Sequence, residues 1–326
     1  MDNLTTNSER ARWMLLLAQH RARLLSAYAG LTEEQISTLA DDTGWTLADV
    51  LAHVTVWEKR VSGLLPEILG SDTPAVPTAN PEEFNRRAFD DIRQRGSVAV
   101  LDELSAARCA MLATLADASD EDINRERRLP SGKPFTVRQW AIQELSEHEA
   151  EHAEHVRSIR KARGARPSQG PKPLLAAGFA AAHAYLMTAA ACVPAGQEAT
   201  HQVTGGWALR DVLGHIADWS FTIADAVDGA LAGKALTEVD FNKLQEWNDA
   251  HAALRHADSW QKVKGDYDEA WGRVSAALDK VSEAQFGLAA ARNERGPISL
   301  YAWLFIVPHH EEEHAGYLKD WVIQAH

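Results

Sequence analysis

The chain contains an internal duplication, and no other sequence feature constrains its fold as strongly. Residues 44–53 (GWTLADVLAH) recur as residues 206–215 (GWALRDVLGH), with seven of the ten positions identical. A shorter segment, HEAEH at 148–152, recurs as HEEEH at 310–314. Both segments recur 162 positions later (215 minus 53, 310 minus 148), so two copies of one unit follow each other along the chain.

A stretch without apolar periodicity separates the two copies. Residues 162–173 (ARGARPSQGPKP) are rich in Gly, Pro and basic residues, which is the composition of a linker. We therefore predict one domain at residues 1–162, a linker at 163–173 and a second domain at 174–326. Each half has the size of an ordinary single domain.

Each copy contains four long segments with apolar residues at helical spacing, and none shows sustained alternation that would require strands. In the first copy these segments cover about 10–28, 46–69, 98–118 and 136–161, with a short additional helix near 84–93. In the second copy they cover about 174–191, 209–231, 260–281 and 299–323. The pattern predicts an all-α fold made of two four-helix bundles in tandem.

The histidines that recur in both copies have the spacing of a metal site. His148 and His152 are four residues apart on one predicted helix, so they project from the same face. His53 lies among apolar residues of another predicted helix, which directs it inward. Three histidines leave coordination positions open for water or substrate, as in catalytic metal sites. The predicted ligands are His53, His148 and His152 in the first copy and His215, His310 and His314 in the second.

Other residues near these histidines have less specific interpretations. Trp57 and Trp219 each follow a predicted ligand by four residues and are expected to form pocket walls by ordinary core packing. The acidic residues of the last helix are typical of a solvated face. Among them, Glu149 and Glu311 follow a predicted ligand directly and are the candidates for a group that orients the ligand or for a general base.

These residues resemble the DinB-like proteins, metal-binding four-helix bundles that include bacillithiol and mycothiol S-transferases and the N-domains of mycothiol-dependent maleylpyruvate isomerase. The resemblance rests on the W-(T/A)-L-x-D-V-L-x-H segment and on the HExxH segment, each present twice. It implies two tandem copies of this fold that form a pseudo-dimer within one polypeptide. Such a chain can exist as a monomer. It also implies a divalent metal ion, often zinc or nickel, on the six histidines named above.

The two copies also differ. Pro308 stands inside the last predicted helix of the second copy, where a proline removes a backbone donor and predicts a kink or a fresh start. Glu58 has Ser220 as its counterpart, and the looser match between the repeats pairs Phe84 and Asn85 with Phe241 and Asn242. These differences favour the first copy, with its uninterrupted last helix, as the working half.

Three functions are compatible with these patterns. The first is a metal-dependent transferase, in which the metal presents the thiolate of a low-molecular-weight thiol co-substrate to an electrophilic small molecule. The second is a metal-dependent hydrolase, with a role in detoxification or self-resistance, that uses metal-bound water. The third is a stress protein that sequesters a small molecule without chemistry. An enzyme is favoured over the sequestering protein.

Composition restricts the partners and the compartment. The net charge of −13 argues against nucleic acid and anionic membrane surfaces as partners, which leaves a small-molecule substrate. Cys109 and Cys192 are too few and too far apart for a disulfide framework, and the first residues lack the apolar core of a signal peptide. We therefore expect a cytoplasmic protein.

Overall fold

The computed structural model describes residues 9–77, 80–165 and 169–324. The described chain is largely helical, as predicted for an all-α protein. Two compact units are distinguished by their internal contacts: one comprises the described residues of 20–177, and the other the described residues of 178–326 and of 1–19. The predicted limits of the two domains and the predicted pseudo-dimer stay predictions.

The helices of the first half begin and end close to the predicted positions, with short helices added between them. They are α1 (Glu9–Tyr28), α2 (Glu33–Thr38), α3 (Leu47–Gly70), α4 (Pro81–Arg95), α5 (Ser97–Asp117), α6 (Asp120–Asn124) and α7 (Glu144–Ala162).

The second half repeats this order without α-helical counterparts of α2 and α6 among its described residues. Its helices are α8 (Lys172–Ala190), α9 (Leu209–Leu231), α10 (Leu244–Arg255), α11 (Trp260–Lys280) and α12 (Leu300–Gln324), with short 3₁₀ turns at Phe241–Lys243 and Glu283–Gln285. Helix α10 was not among the helices predicted for this half. It is the repeat counterpart of α4 in the first half.

Short strands are present in the loops, so the expectation that no strand is needed was wrong in detail. The antiparallel pairs are β1 (Arg127–Arg128) with β2 (Pro134–Phe135) and β3 (Gln202–Thr204) with β4 (Trp207–Ala208), while β5 (Thr237–Glu238) runs parallel to β6 (Ala289–Asn293), which is antiparallel to β7 (Gly296–Ser299). Strands of two to five residues are too short to show an alternating pattern.

Helix α3 begins where its capping residues place it. The Thr46 hydroxyl accepts a hydrogen bond from the Asp49 amide, and the Asp49 carboxylate accepts one from the Thr46 amide. This reciprocal pair satisfies two backbone donors that the helix leaves free. In the second half Asp211 accepts the Ala208 amide in the same way at the start of α9. The shared WxLxDVL segment thus sets where the histidine-bearing helix starts in both copies.

The apolar faces of the long helices form the core of each half. Helix α3 packs on α5, α4 and α7, and α9 packs on α11, α10 and α12. The side chains of Val50, Val54 and Leu65 on α3 are fully buried, as are Val212 and Val227 on α9. This packing brings the histidine helix of each half against its last helix.

The last helices differ in a way that the sequence did not predict. Pro308 lies inside a continuous helix, α12, so the expected restart does not occur. The irregular segment is in the first half, where Arg138–Gln143 forms a π-helical turn directly before α7. In a π-helical turn the backbone hydrogen bonds join residues five apart instead of four apart. Such turns are found frequently at functional sites. The argument that an uninterrupted last helix favours the first copy is therefore wrong.

One described helix, α8, is long and apolar enough to cross a membrane, and half of it is buried inside the protein. Buried core helices have the same length and composition, so this feature is weak evidence for a membrane span.

Candidate metal centres

Helices α3 and α7 bring three histidines of the first half together. Nε2 of His53 lies 2.8 Å from Nε2 of His148, and Nε2 of His152 lies 3.1 Å from the same atom. All three side chains are half-buried. The histidine pair on α7 and the single histidine on α3 therefore converge, as the spacing predicted. We call this cluster the first centre.

Helices α9 and α12 form an equivalent cluster, the second centre. Nε2 of His310 lies 2.9 Å from Nε2 of His215 and 3.1 Å from Nε2 of His314. The corresponding distances in the two centres agree within 0.1 Å. Geometry is thus retained in both copies although the surrounding sequence has diverged.

The three converging nitrogens of each centre fit a divalent metal ion. A tetrahedral zinc ion with Zn–N bonds of about 2.0–2.1 Å separates its ligand nitrogens by roughly 3.3 Å, close to the spacing of 2.8–3.1 Å found here. Neutral imidazoles carry one proton each, so three ring nitrogens directed at one point offer lone pairs that face each other. A cation placed at that point would be held by all of them.

Burial keeps these histidines in the neutral form that a metal requires. It lowers the pKa of His53 to about 4 and that of His152 to about 3. In the second centre the pKa falls to about 3 in His215 and to about 4 in His314, again because the charged form is desolvated. Burial also lowers the pKa of the remaining histidine of each centre, His148 and His310.

Asn85 on α4 orients the first ligand, a role that the sequence analysis missed. Its Oδ1 lies 2.9 Å from Nδ1 of His53 and accepts that proton, because an amide oxygen only accepts. The same oxygen accepts a hydrogen bond from Nε1 of Trp57 at 2.9 Å. The bond to Asn85 leaves Nε2 of His53 unprotonated and directed at the other two histidines. Trp57 therefore positions Asn85, and its ring packs on Phe84 at 5.1 Å.

The counterpart of Asn85 is Asn248 on α10, and the alignment with Asn242 was wrong. Nε1 of Trp219 donates to Oδ1 of Asn248 at 3.3 Å, and the Trp219 ring packs on Trp247 at 4.4 Å. Asn242 is exposed in a 3₁₀ turn. One inserted residue shifts the repeat here from 162 to 163 positions, which a comparison without gaps does not detect.

Replacing Asn85 with leucine is expected to weaken metal binding at the first centre by about 10–100-fold, because removal of a hydrogen-bond partner leaves the ligand tautomer and ring orientation free. A competitive zinc titration of Asn85→Leu in the His215→Ala background measures this centre alone. Asn242→Ala in the His53→Ala background is the control and should leave the second centre unchanged. An unchanged affinity in Asn85→Leu would show that Asn85 has no part in metal binding.

Glu149 does not lie on a solvated face. Arg21 on α1 and Arg108 on α5 each bridge Glu58 on α3 and Glu149 on α7, and all four side chains are at least nine-tenths buried. Arg108 Nε lies 2.5 Å from Glu58 and its Nη2 lies 2.7 Å from Glu149. Burial opposes the charged form, but Arg108 and Arg21 hold the pKa of Glu149 below its ordinary value. We call these four residues the buried charge cluster.

Glu311 is also fully buried, with different partners. The Tyr267 hydroxyl donates to its Oε1 at 2.7 Å, and Nδ1 of His183 lies 2.8 Å from that hydroxyl. The His183 ring stacks on Trp271 at 4.0 Å. His183 and Ser220 stand at the repeat positions of Arg21 and Glu58, so the second half surrounds its glutamate without a charge cluster.

Tryptophans lie beside the histidines in both centres, and the role of Trp57 and Trp219 as pocket walls stays a prediction. In the first centre the ring centroids of Trp45 and Trp57 are 5.3 and 6.3 Å from that of His53. In the second centre Trp207 lies 5.2 Å from His215, and Trp219 is buried four residues further along α9.

Comparison with known proteins identifies the family. The sequence profile described as the DinB superfamily matches residues 16–156 and again residues 179–318. The chain belongs to the DinB superfamily. The two DinB matches each contain one complete histidine centre, which confirms the tandem arrangement inferred from the repeat.

The chain is also similar to the Bacillus subtilis (strain 168) protein named "Putative metal-dependent hydrolase YfiT". It is 25% identical to this chain over 118 residues, which is 34% of the chain and 64% of YfiT, so the match spans less than two thirds of that relative. No solved structure matches the chain significantly.

Proposed function

We propose that the chain is a divalent-metal-dependent enzyme that transfers a low-molecular-weight thiol to an electrophilic small molecule. The observation that supports metal dependence is the convergence of three neutral imidazoles in each half, where Nε2 of one histidine lies 2.8–3.1 Å from Nε2 of the other two. A divalent ion on these nitrogens supplies Lewis acidity, which lowers the pKa of a thiol or water that it binds.

The residues around the first centre prepare it for that ion. Asn85 holds His53 in the tautomer that directs a lone pair inward. His148 and His152 lie one turn apart on α7, so the helix itself sets their separation. Three protein ligands leave positions for a substrate, as in catalytic rather than structural zinc sites.

The placement of the glutamates favours thiol transfer over hydrolysis. Attack by water needs a nearby general base, and Glu149 is occupied by Arg21 and Arg108 inside the protein. Glu311 is fully buried and bonded to Tyr267. We therefore propose no role as a base for either residue. A thiol of suitable pKa loses its proton without such a base.

Hydrolysis of a small molecule is the second candidate, and the match to YfiT favours it. The two reactions are distinguished by their dependence on added thiol. Under the first proposal, the zinc- or nickel-loaded protein should consume added thiol together with an electrophile such as monobromobimane. Without added thiol, the electrophile should not be consumed. A protein that only sequesters its ligand should take up no more than one or two equivalents of it per chain.

Because both centres have the same geometry, we expect metal in both. Plasma mass spectrometry of untagged protein should find about two equivalents per chain, about one in His53→Ala and in His215→Ala, and almost none in the double variant. Cys109→Ser serves as a control that should keep both equivalents, since Cys109 is exposed and outside both centres. Metal content near zero after incubation with zinc and nickel would contradict the proposed function.

A further inference from the structure

The two centres share their geometry but differ in how the single histidine of each is oriented. In the first centre Oδ1 of Asn85 lies 2.9 Å from Nδ1 of His53, so an amide on α4 holds that imidazole directly. In the second centre Asn248 on α10 accepts a hydrogen bond from Trp219 at 3.3 Å, but among the described residues no hydrogen bond joins it to His215. His215 therefore lacks the direct bond that fixes the ring of its counterpart.

A narrow gap lies beside the second centre, where the first centre has that bond. His215 and Asn248 both border the gap, and it has about 10 Å³ of room, which is about what one water molecule needs. A water that bridges two groups has to be immobilised, whereas the Asn85 amide is already held in the protein. The ring and the tautomer of His215 are therefore fixed less firmly than those of His53 before a metal binds.

The buried charge cluster joins the two ligand-bearing helices of the first half. Glu58 lies on α3 five residues after His53, and Glu149 lies on α7 between the two histidines of that helix. Arg21 and Arg108 each bond to both carboxylates. Charge-assisted bonds of this forked kind fix the geometry of their partners. The cluster thus restrains α3 and α7 relative to each other, and the histidine ligands with them.

The second half has no such link between its ligand-bearing helices. Ser220 stands at the repeat position of Glu58, so α9 offers no carboxylate there. Glu311 on α12 accepts a hydrogen bond from Tyr267 on α11. Among the described residues, the ion pairs that leave α9 run to α10 and α11 and none runs to α12. The histidines of α9 and α12 are therefore less restrained than those of the first half.

We propose that the two centres differ in how firmly they hold a metal ion. The first binds its ion tightly and releases it slowly, and the second binds at least about tenfold more weakly, since loss of a partner that orients a ligand weakens metal binding by about 10–100-fold. This inference rests on the proposed function in requiring that both centres bind a divalent ion. The chain then carries one ion when the metal is scarce and two when it is plentiful, so the metal supply regulates the second half.

Single-centre variants measure the two affinities without reliance on turnover. His215→Ala keeps only the first complete centre, and His53→Ala keeps only the second. Titration of the metal-free proteins with zinc against a chromophoric chelator should give one equivalent in each variant at saturation. The dissociation constant should be at least about tenfold lower in His215→Ala. Excess chelator added to the saturated proteins should remove zinc faster from His53→Ala.

Two asparagine variants test the cause of the difference. Asn85→Leu and Asn248→Leu each leave a tryptophan Nε1 without its acceptor, so their effects on folding should be similar. In the single-centre backgrounds Asn85→Leu should weaken the first centre by about 10–100-fold, whereas Asn248→Leu should leave the second nearly unchanged. Asn85→Asp retains an acceptor oxygen and should retain tight binding. Asn85→Ala is the second variant if leucine prevents folding, which circular dichroism reports.

Arg108 tests the contribution of the buried charge cluster. In the His215→Ala background, Arg108→Ala should speed zinc release from the first centre towards the rate of the second. Arg95→Ala, which removes an exposed arginine from its ion pairs, should not change that rate. Arg108→Lys is the second variant if alanine prevents folding, because lysine keeps the charge but lacks the planar fork that bonds to both glutamates.

The outcomes separate this inference from the proposed function. Equal dissociation constants in the two single-centre variants, or equal weakening by Asn85→Leu and Asn248→Leu in folded protein, would overturn the inference and leave the metal centres intact. Unchanged zinc release in folded Arg108→Ala and Arg108→Lys would overturn the role of the buried charge cluster. Absence of zinc binding from both single-centre variants would overturn the proposed function itself and the inference with it.

Discussion

Replacement of Arg108 with alanine is expected to lower the free energy of unfolding by about 3–5 kcal/mol. Arg108 bridges Glu58 and Glu149, and all three side chains are at least nine-tenths buried. Its removal leaves two buried carboxylates with one arginine, Arg21, and the unpaired charge cannot reach water. Urea unfolding followed by circular dichroism, with the slope of the transition held in common, measures the change.

Arg95 provides a matched control. It also bridges two carboxylates, Asp91 and Glu103, but its side chain is 37% exposed. When the arginine is removed, water hydrates the two carboxylates in its place. Arg95→Ala should therefore lower the free energy of unfolding by at most about 1 kcal/mol. Equal losses in Arg95→Ala and Arg108→Ala would contradict the role that we assign to burial.

The second half offers a way to remove the buried charge cluster without leaving an unpaired charge. The repeat positions of Arg21, Glu58, Leu104 and Arg108 carry His183, Ser220, Tyr267 and Trp271. The fourfold variant Arg21→His, Glu58→Ser, Leu104→Tyr and Arg108→Trp places this set around Glu149. It should lose less stability than Arg108→Ala, because Tyr267 in the second half bonds to the equivalent glutamate Glu311.

Metal binding is expected to stabilise each half by about 4 kcal/mol when the free ion is present at a thousand times its dissociation constant. Ligand histidines that burial keeps neutral bind the ion in the folded state, while the unfolded chain has no preformed site. Calorimetric melting of chelator-treated protein, with and without added zinc, measures the shift of the transitions.

The single-centre variants show which half each increment belongs to. His53→Ala should lose the increment of the half that contains α3, and His215→Ala that of the half that contains α9. His256→Ala on the surface should retain both, since His256 is exposed and follows the end of α10. An increment that survives in the variant lacking both His53 and His215 would show that zinc stabilises the protein elsewhere.

The candidate site could be predicted where its geometry is local or repeated. The spacing of His148 and His152 on one helix places them on one face whatever surrounds them. His53 recurs at the same offset as the histidine pair, which pointed to a common site. Sequence changes elsewhere in the repeat had not altered the spacing of these three positions. The buried partners could not be predicted in this way. An acidic residue beside a histidine, such as Glu149, has the sequence pattern of a solvated face whether or not two arginines meet it.

What the sequence alone determined about this protein is therefore its tandem helical organisation, the start of helices α3 and α9, and the six histidines. These depend on periodicity, capping and repetition, which act over a few residues or compare the chain with itself. Only the tertiary structure decided which side chains surround each centre. The pairing of Phe89 with Trp45, the arginines that meet Glu149 and the asparagine beside each tryptophan depend on contacts between helices, and no local pattern encodes which side chains meet there.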